Sequence, residues 1–306
     1  MNNQTSHKTL ISVVGPTAIG KTALGIKLAQ HFNTEIISAD SRQFFNEMAI
    51  GTAVPDADEL ASAKHHFIQH KSIEEDYNVG AFEKEALFCL NELFKTKDVV
   101  IIVGGSGLYV DAVSKGLDDF PKVDDSIREH LNNQLEVEGL EALQLQLKEL
   151  DDVSYNTIEL SNARRVIRAL EICIGTNKPY SSFLQLKKNK RNFKTITVGI
   201  TADRPIIYDR INRRVDIMMA NGLLDEVKAL EPKKHLNSLN TVGYKELFKF
   251  LDKEWELDFA ISEIKKNSRR FAKRQLTWFK RNEATIWIDY QEDITSIIKK
   301  VERKLS

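Results

Sequence analysis

Cysteine is scarce in this chain of 306 residues, which contains only Cys89 and Cys173. Neither belongs to a CxxC pair, and no histidine lies near them at metal-ligand spacing. These absences exclude a disulfide-rich scaffold and give no sign of a Cys/His zinc site. Both thiols are expected to be buried in apolar helices, as in proteins of a reducing compartment.

Long apolar runs are also missing, because the apolar stretches are only of strand length and the first eight residues are polar. Membrane spanning and secretion are therefore not expected, and a cytoplasmic location is the default. Glycine and proline number only 14 and 6, and apolar residues make up 42%. That composition is typical of an ordered globular protein.

Net charge is absent as well, since 44 Lys and Arg balance 44 Asp and Glu. A nucleic-acid partner would therefore have to be recognised by local basic clusters. Residues 265–281 contain eight basic residues and no acid, with aromatic residues interleaved. On a helix, four of them would share one side: Lys266, Arg270, Lys273 and Arg274. This basic stripe could follow a phosphate backbone, or it could be an ordinary solvated helix face.

A second basic cluster contains Arg164, Arg165 and Arg168, of which the first and last share a helix face. It could contact nucleic acid, or it could pair with nearby acids, namely Asp151, Asp152 and Glu159. For two further clusters, a pair of histidines and a group of four aspartates, we expect structural roles. His65-His66 shows no evident acidic partner, and a solvated linker explains the four acids Asp118, Asp119, Asp124 and Asp125.

Strands and helices alternate over much of the chain, which predicts an α/β fold with a parallel sheet and helices on both faces. The predicted strands are Leu10–Val14, Glu35–Ala39, Val99–Val103, Thr195–Ile200 and Thr285–Ile288. The predicted helices include Ala23–His31, Tyr77–Leu93 and one long helix, Arg204–Leu230. From about residue 121 to residue 189 the pattern is helical and charged instead. We therefore expect a core of residues 1–120 and 190–306 with a helical insertion of residues 121–189.

The segment 15–22 matches GxxxxGK[ST], follows a predicted strand and opens a helix, the context that this motif requires. Its residues are Gly15, Pro16, Thr17, Ala18, Ile19, Gly20, Lys21 and Thr22. Glycines let successive backbone N–H groups turn inward, and the helix N-terminus adds partial positive charge. Lys21 can bind the terminal phosphate and Thr22 can hold Mg²⁺. A phosphate or diphosphate ligand is therefore predicted.

The motif does not say which phosphate compound is bound. Most such loops bind ATP or another nucleotide, and they have an acid at the end of a second apolar strand. Here Val99–Val103 ends in Gly-Gly-Ser-Gly, and the nearby strand-end acid is Asp40. Asp40 could belong to a magnesium shell, or it could be a base acting on a nucleophile. A small-molecule kinase and an RNA-binding NTPase switch both stay open at this point.

Eight segments together resemble the tRNA dimethylallyltransferases, in the same order along nearly the whole chain. They are GPTAIGKT (15–22), SADSRQFF (38–45), IGTAVP (50–55), VGGSGLY (103–109), NARRVIRALE (162–171), GLLDEV (222–227), TVGYKE (241–246) and RRFAKRQLTWFKR (269–281). The resemblance implies a P-loop core with a helical insertion. It also implies an enzyme that moves a dimethylallyl group from its diphosphate to N6 of an adenosine beside the anticodon of tRNA, releasing diphosphate.

The resemblance further implies roles for individual residues. The catalytic set is Asp40, Lys21, Arg214 and Ser106, with Asp40 as general base, Arg214 on the diphosphate and Ser106 where the family usually has Thr. The implied tRNA-binding set is Asp40, Ser41, Arg42, Gln43, Ser106, Arg128, Arg164, Arg165, Arg168, Asn240, Thr241, Val242, Gly243, Tyr244 and Lys245. Mg²⁺ on Thr22 is the expected cofactor, the anticodon stem-loop and dimethylallyl diphosphate are the expected partners, and a monomer is expected.

One closer alternative is a prenyltransferase that acts on a free nucleotide. The large insertion and the basic stripe favour a bulky RNA acceptor.

Overall fold

The computed structural model describes residues 8–184 and 191–305. The chain divides into two compact units, one formed by Met1–Ser114 with Arg191–Ser306 and the other by Lys115–Lys190. The predicted insertion, residues 121–189, lies inside the second unit, and its residues 185–189 lie outside the described residues. Within the described residues, no helix is both long enough and apolar enough to cross a membrane.

The first unit is built on a parallel sheet of six strands in the order β3-β2-β4-β1-β5-β6. The strands are β1 Thr9–Val14, β2 Ile36–Ser38, β3 His65–His66, β4 Val99–Val103, β5 Lys194–Thr201 and β6 Ile286–Asp289. From β1 the chain first builds the side of the sheet that contains β2, β3 and β4, and then the side that contains β5 and β6. The order of the strands therefore reverses beside β1. Ligands of such sheets bind at the carboxyl ends of the strands near this point. The predicted α/β fold class is confirmed.

Thirteen α-helices accompany the sheet within the described residues. They are α1 Lys21–His31, α2 Ala57–Ser62, α3 Val79–Leu93, α4 Gly107–Lys115, α5 Asp125–Glu138, α6 Leu140–Leu150, α7 Asp152–Thr157, α8 Ala163–Thr176, α9 Arg204–Ala220, α10 Leu223–Leu230, α11 Tyr244–Leu251, α12 Leu257–Phe279 and α13 Ile294–Leu305. The single predicted helix 204–230 was wrong. Gly222 has φ 96°, a left-handed conformation that ends α9 and starts α10.

Side chains of β1 alternate between two hydrophobic cores. Ile11 and Val13 pack in the core that contains buried residues of α1, α9 and α13. Leu10 and Val14 pack in the core that contains buried residues of α3 and α4. Because successive residues of a strand point to opposite faces, this alternation places helices on both faces of the sheet. A third core joins the end of α9 to α10, α11 and the start of α12.

Helices α5 to α8 form the second unit around an apolar core of their own. Asp151 is buried there, although it is charged. Its carboxylate accepts hydrogen bonds from the backbone N–H groups and hydroxyls of Ser154 and Ser181, at 2.6–3.0 Å. Burial alone would raise the pKa of Asp151, but these four bonds outweigh it and lower the pKa. The carboxylate therefore ties the start of α7 to the segment that follows α8.

We expect Asp151→Ala to lower the free energy of unfolding by at least about 3 kcal/mol. One charge-assisted hydrogen bond contributes about 1.5–3 kcal/mol, and water entering the vacated space can replace only part of the four that are lost. Urea unfolding of the full chain, followed by circular dichroism, measures this change. Asp152→Ala is the matched control, since its side chain is exposed. Equal unfolding midpoints for the two variants would contradict the structural role of Asp151.

Candidate active site

The phosphate-loop motif forms a tight turn between β1 and α1. Gly20 has φ 109° and Ala18 has φ 63°, both in the left-handed region. Glycine adopts this conformation easily, whereas alanine does so at a cost of about 1 kcal/mol. Gly15 also has no room for a side chain, because a Cβ would lie 2.7 Å from the carbonyl oxygen of Ile200. The loop therefore has the curled backbone that an anion site at a helix N-terminus requires.

Lys21 and Arg214 bring two positive charges to this loop. The Lys21 ammonium donates to the carbonyl of Pro16 at 2.8 Å, and the Arg214 guanidinium lies 3.5 Å from the Thr17 hydroxyl oxygen. Burial lowers the pKa of Lys21 to about 8; Asp40 opposes this shift and Arg214 adds to it. Burial also lowers the pKa of Arg214, again against the attraction of Asp40. At the phosphate loop two cations thus lie close to one carboxylate, that of Asp40, and Glu59 also attracts Arg214.

Asp40 lies just beyond the carboxyl end of β2. Its Oδ1 accepts from the backbone N–H of Arg42 at 3.1 Å, which fixes the side chain at the start of the following turn. The N–H of Ala39 donates to the carbonyl of Val103 at 2.7 Å. Gly104 allows this approach of β2 and β4, since a Cβ there would lie 2.3 Å from the Ala39 carbonyl oxygen. The turn therefore brings the carboxylate to the phosphate loop.

Two cavities meet at these charged groups. The first has a volume of about 970 Å³ and is lined by residues 17–23 of the phosphate loop and α1. The second, of about 530 Å³, is lined by Ser106 and by 240–243. Both are lined by Thr17, Ala18, Asp40, Thr52, Gly105, Arg214, Phe271 and Gln275. Asp40 and Arg214 can therefore act on a molecule in either cavity.

The structure brings together many of the residues predicted from the sequence. Lys21 and Thr22 line the first cavity, together with Gln43. The second cavity is lined by Ser41, Arg42, Ser106, Asn240, Thr241, Val242, Gly243 and Lys245. The Ser106 hydroxyl accepts from the backbone N–H of Ser41 and donates to its hydroxyl, both at 3.1 Å. Residues far apart in the sequence thus share one wall.

Several of the predicted RNA-binding side chains have partners within the protein, among them Tyr244 and Gln43. Tyr244 is fully buried, and its hydroxyl donates to Glu226 at 2.6 Å. The expectation of an RNA contact by this side chain is corrected, because no surface of it is accessible. The Gln43 amide donates to the carbonyls of Thr52 and Ala53 at 3.2 and 2.9 Å. Gln43 therefore supports the wall of the first cavity.

The predicted arginines of the helical insertion lie in the second unit. Arg164 and Arg165 are exposed on α8. Arg128 and Arg168 both pair with Glu171, at 2.6 and 3.2 Å. The acids first considered as partners were therefore the wrong ones, since Asp151 is held by serines and Glu171 is the buried acid of this cluster. Arg168 also lies over the ring of Phe120.

Sequence reasoning missed two polar residues that shape the site, the half-buried Glu226 and the buried Gln275. Glu226 accepts from the N–H groups of residues 49–51 at 2.7–3.0 Å, and so holds the loop beside the first cavity. Gln275 bonds to both Thr17 and Gly105. Both residues belong to segments that carry the family resemblance, but nothing in the sequence identifies their partners. The view that His66 has no acidic partner was also wrong, because it lies 2.6 Å from Glu35.

We expect the affinity for inorganic pyrophosphate to fall as pH rises through about 8, the pKa of Lys21. Below that pH the free protein already carries the ammonium; above it, binding must take up a proton, which costs up to about tenfold in affinity for each pH unit. Calorimetry at pH 7 and pH 9 measures this loss and the proton uptake. Lys21→Met is the control, because it lacks the ammonium and any pH dependence that it retains comes from other groups, such as pyrophosphate itself. The same pH dependence in wild type and Lys21→Met would contradict the assignment.

Comparison with known proteins places these features in a family. Residues 43–282 match the family model of the IPP transferases. Over 297 residues the chain is 60% identical to a tRNA dimethylallyltransferase of Christiangramia forsetii, covering 97% of this chain and 98% of that protein.

Solved structures agree with this match. The full-length tRNA isopentenylpyrophosphate transferase of Bacillus halodurans is 37% identical, with a TM-score of 0.72 and 97% of both chains covered. A eukaryotic dimethylallyltransferase acting on tRNA is 25% identical, with a TM-score of 0.79, covering 97% of this chain and 77% of that one. The family resemblance of the eight sequence segments is confirmed, and the chain belongs to the IPP transferase family.

Proposed function

We propose that this enzyme transfers a dimethylallyl group from dimethylallyl diphosphate to N6 of an adenosine beside the anticodon of tRNA, and releases diphosphate. The position of Asp40 carries the proposal: it lies where the two cavities meet, beside Lys21 and Arg214. One cavity can hold the donor and the other the acceptor, with a base and two cations at their boundary. Family membership supports the same reaction.

The donor belongs in the first cavity, because the phosphate loop and α1 line it. When the bond from the first allylic carbon to oxygen breaks, the bonding electrons leave with the diphosphate. Lys21, Arg214 and the N–H groups of the loop stabilise that growing negative charge. The allylic carbon tolerates partial positive charge, so stabilisation of the leaving group contributes strongly to the rate.

The acceptor adenine belongs in the second cavity, which the predicted RNA-binding segments line. Its exocyclic nitrogen is a poor nucleophile, since the lone pair is delocalised into the ring. As the new carbon–nitrogen bond forms, Asp40 accepts one amino proton. The adenine has to leave its stack to reach Asp40, as in other enzymes that act on a base.

A magnesium ion suits the oxygen ligands present on the donor side. Thr22 and Asp40 line the first cavity. The described residues contain no cluster of three or more His, Cys, Asp or Glu that could hold a metal ion. Mg²⁺ usually keeps several waters and binds through one or two protein oxygens plus substrate phosphates. Thr22, with Asp40 nearby, would hold the ion on the diphosphate, where it supplies further positive charge.

Both cavities are lined by one chain, so a monomer can carry out the reaction, and we expect it in the cytoplasm.

Incubation with labelled dimethylallyl diphosphate, with and without tRNA, tests the function. Label should appear on an adenosine beside the anticodon only when tRNA is present. Labelled ATP serves as the comparison donor, and transfer of its γ-phosphate to any acceptor would favour a kinase. Equal labelling of free AMP would favour a free-nucleotide prenyltransferase.

We expect Asp40→Asn to lower the single-turnover rate by about 10²–10⁴-fold, because the amide cannot accept the amino proton. Pyrophosphate affinity should not weaken, since the positive charges remain. Rapid quenching at saturating substrates measures the rate. Asp58→Asn is a matched control, because Asp58 is exposed at the start of α2 and is not among the residues that line the two cavities. Wild-type turnover by Asp40→Asn would remove the base assignment.

The basic stripe on α12 is narrower in the structure than the sequence suggested. Lys266 pairs with Glu263, and Lys265 pairs with Asp216 at 2.6 Å. Although residues 265–281 contain no acid, acids of neighbouring turns and helices neutralise these two lysines. Arg270, Lys273 and Arg274 are exposed. Arg270 donates to Asn267 of its own helix at 3.5 Å, and Arg274 lines the second cavity. Lys273 and Arg274 are therefore the part of the stripe best placed for a backbone contact with tRNA.

We expect the double variant Lys273→Ala, Arg274→Ala to bind the anticodon stem-loop more weakly at every RNA sequence. The slope of log affinity against log salt should flatten by up to about 0.7 per lost contact. Lys265→Ala, Lys266→Ala removes two charges from the same helix and should change the slope less, since both are already paired. A salt titration beside a thermal melt measures this. An unchanged slope with an unchanged melt for the first variant would reject the RNA contact.

A further inference from the structure

We propose that Gln275 of α12 is a positioning residue that fixes the phosphate loop relative to the wall of the acceptor cavity. Its side-chain amide accepts from the N–H of Thr17 at 2.9 Å and donates to the carbonyl of Gly105 at 2.9 Å. Thr17 belongs to the phosphate loop, and Gly105 lies beside Ser106 in the other wall. The inference rests on the proposed transfer reaction, because it assigns a role to the relative position of the two substrates.

The chemistry of the amide suits this bridge. One carboxamide group presents an acceptor and a donor at a fixed separation, as a peptide group does. An ionised glutamate would lack the donor for Gly105, and an aliphatic side chain would lack both. Gln275 is only 5% exposed and Gly105 is buried, so loss of the bond to Gly105 would leave a buried carbonyl without this partner. Loss of the other bond would free the N–H of the half-buried Thr17.

Glycine at position 105 is a consequence of this contact. A Cβ there would lie 2.3 Å from Nε2 of Gln275 and 3.6 Å from Nζ of Lys21. The next turn of α12 repeats the arrangement, since a Cβ on Gly107 would lie 2.3 Å from Cδ1 of Trp278. The indole N–H of Trp278 donates to Asp111 at 2.9 Å. Helix α12 therefore contacts the segment around Ser106 through two side chains, Gln275 and Trp278. Gln275 also contacts the phosphate loop.

This bridge lies between donor and acceptor. The Thr17 hydroxyl is in reach of Arg214, and the Ser106 hydroxyl bonds to Ser41 beside Asp40. With Gln275 removed, the two walls lose their direct link and the reacting carbon can shift relative to the amine. A displacement of about 1 Å can lower a rate by about 10²-fold. The role assigned to the amide acts through these loops, because its oxygen and its nitrogen are both engaged by backbone groups of Thr17 and Gly105.

Gln275→Met tests the proposal, because it keeps the length of the side chain and removes both bonds. We expect the single-turnover rate at saturating substrates to fall 10- to 100-fold. Affinities for pyrophosphate and for tRNA should stay within about threefold of wild type, and the pH profile of the rate should keep its midpoints. The loss thus differs from that of Asp40→Asn, which removes the base. Gln30→Met, the same change at an exposed position of α1, is the matched control.

Gly105→Ala is the second variant, because its Cβ pushes the Gln275 amide away without deleting it, and it should lower the rate in the same way. Wild-type rates in both variants would overturn the proposal, as would a loss fully explained by weaker binding of either substrate. Melting of both variants below the assay temperature would also overturn it, since Gln275 would then be needed for folding alone. Absence of transfer by the wild-type enzyme would instead reject the proposed function.

Discussion

Unbalanced buried charge at the carboxyl edge of the sheet is the constraint on which the site depends. Burial lowers the pKa of both Lys21 and Arg214. Asp40 is the acid that opposes both of these shifts. Taking cations out of water without full compensation is costly, so the free protein is best stabilised by an added anion. In the proposed reaction, the same two cations would contribute both to diphosphate affinity and to stabilisation of the diphosphate as a leaving group.

These charged groups keep their positions only if the backbone around them is rigid. The structure achieves this with close backbone approaches at glycines and with polar side chains that anchor the backbone. Glu226 gathers the N–H groups of the loop at residues 49–51, and Tyr244 packs where a Cβ on Gly51 would clash at 2.5 Å. Gln275 does the same for the phosphate loop. Preorganised dipoles then need little rearrangement when charge develops.

Local patterns in the sequence were sufficient for the features that depend on neighbouring residues. The strand Val99–Val103 was predicted with its true bounds, because a fully apolar run ending in two glycines is a local signal. The phosphate loop was found for the same reason. The break between α9 and α10 was missed, since Gly222 inside an apolar helical pattern is compatible with a continuous helix.

Contacts between distant parts of the chain could not be read in this way. Thr17 and Gln275 are separated by 258 positions, and no spacing rule links a loop amide to a glutamine near the C-terminus. The buried state of Tyr244 likewise depends on Glu226 and Gly51. Family resemblance marked the segments that matter, but it did not separate residues that face a substrate from residues that hold the backbone.

The fold itself argues against the kinase alternative. A nucleotide kinase of this architecture needs an acid beyond the second apolar strand for its magnesium shell. Here Gly104 and Gly105 occupy that place, and a Cβ would lie 2.3 Å from the Ala39 carbonyl at the first and 2.3 Å from the Gln275 amide at the second. An acidic side chain therefore has no room at position 104, where it would meet backbone, and at position 105 it would displace the Gln275 amide. Asp40 is the acid that lines both cavities, and its place between them suits the proposed base joining two substrates better than a magnesium ligand in one cavity.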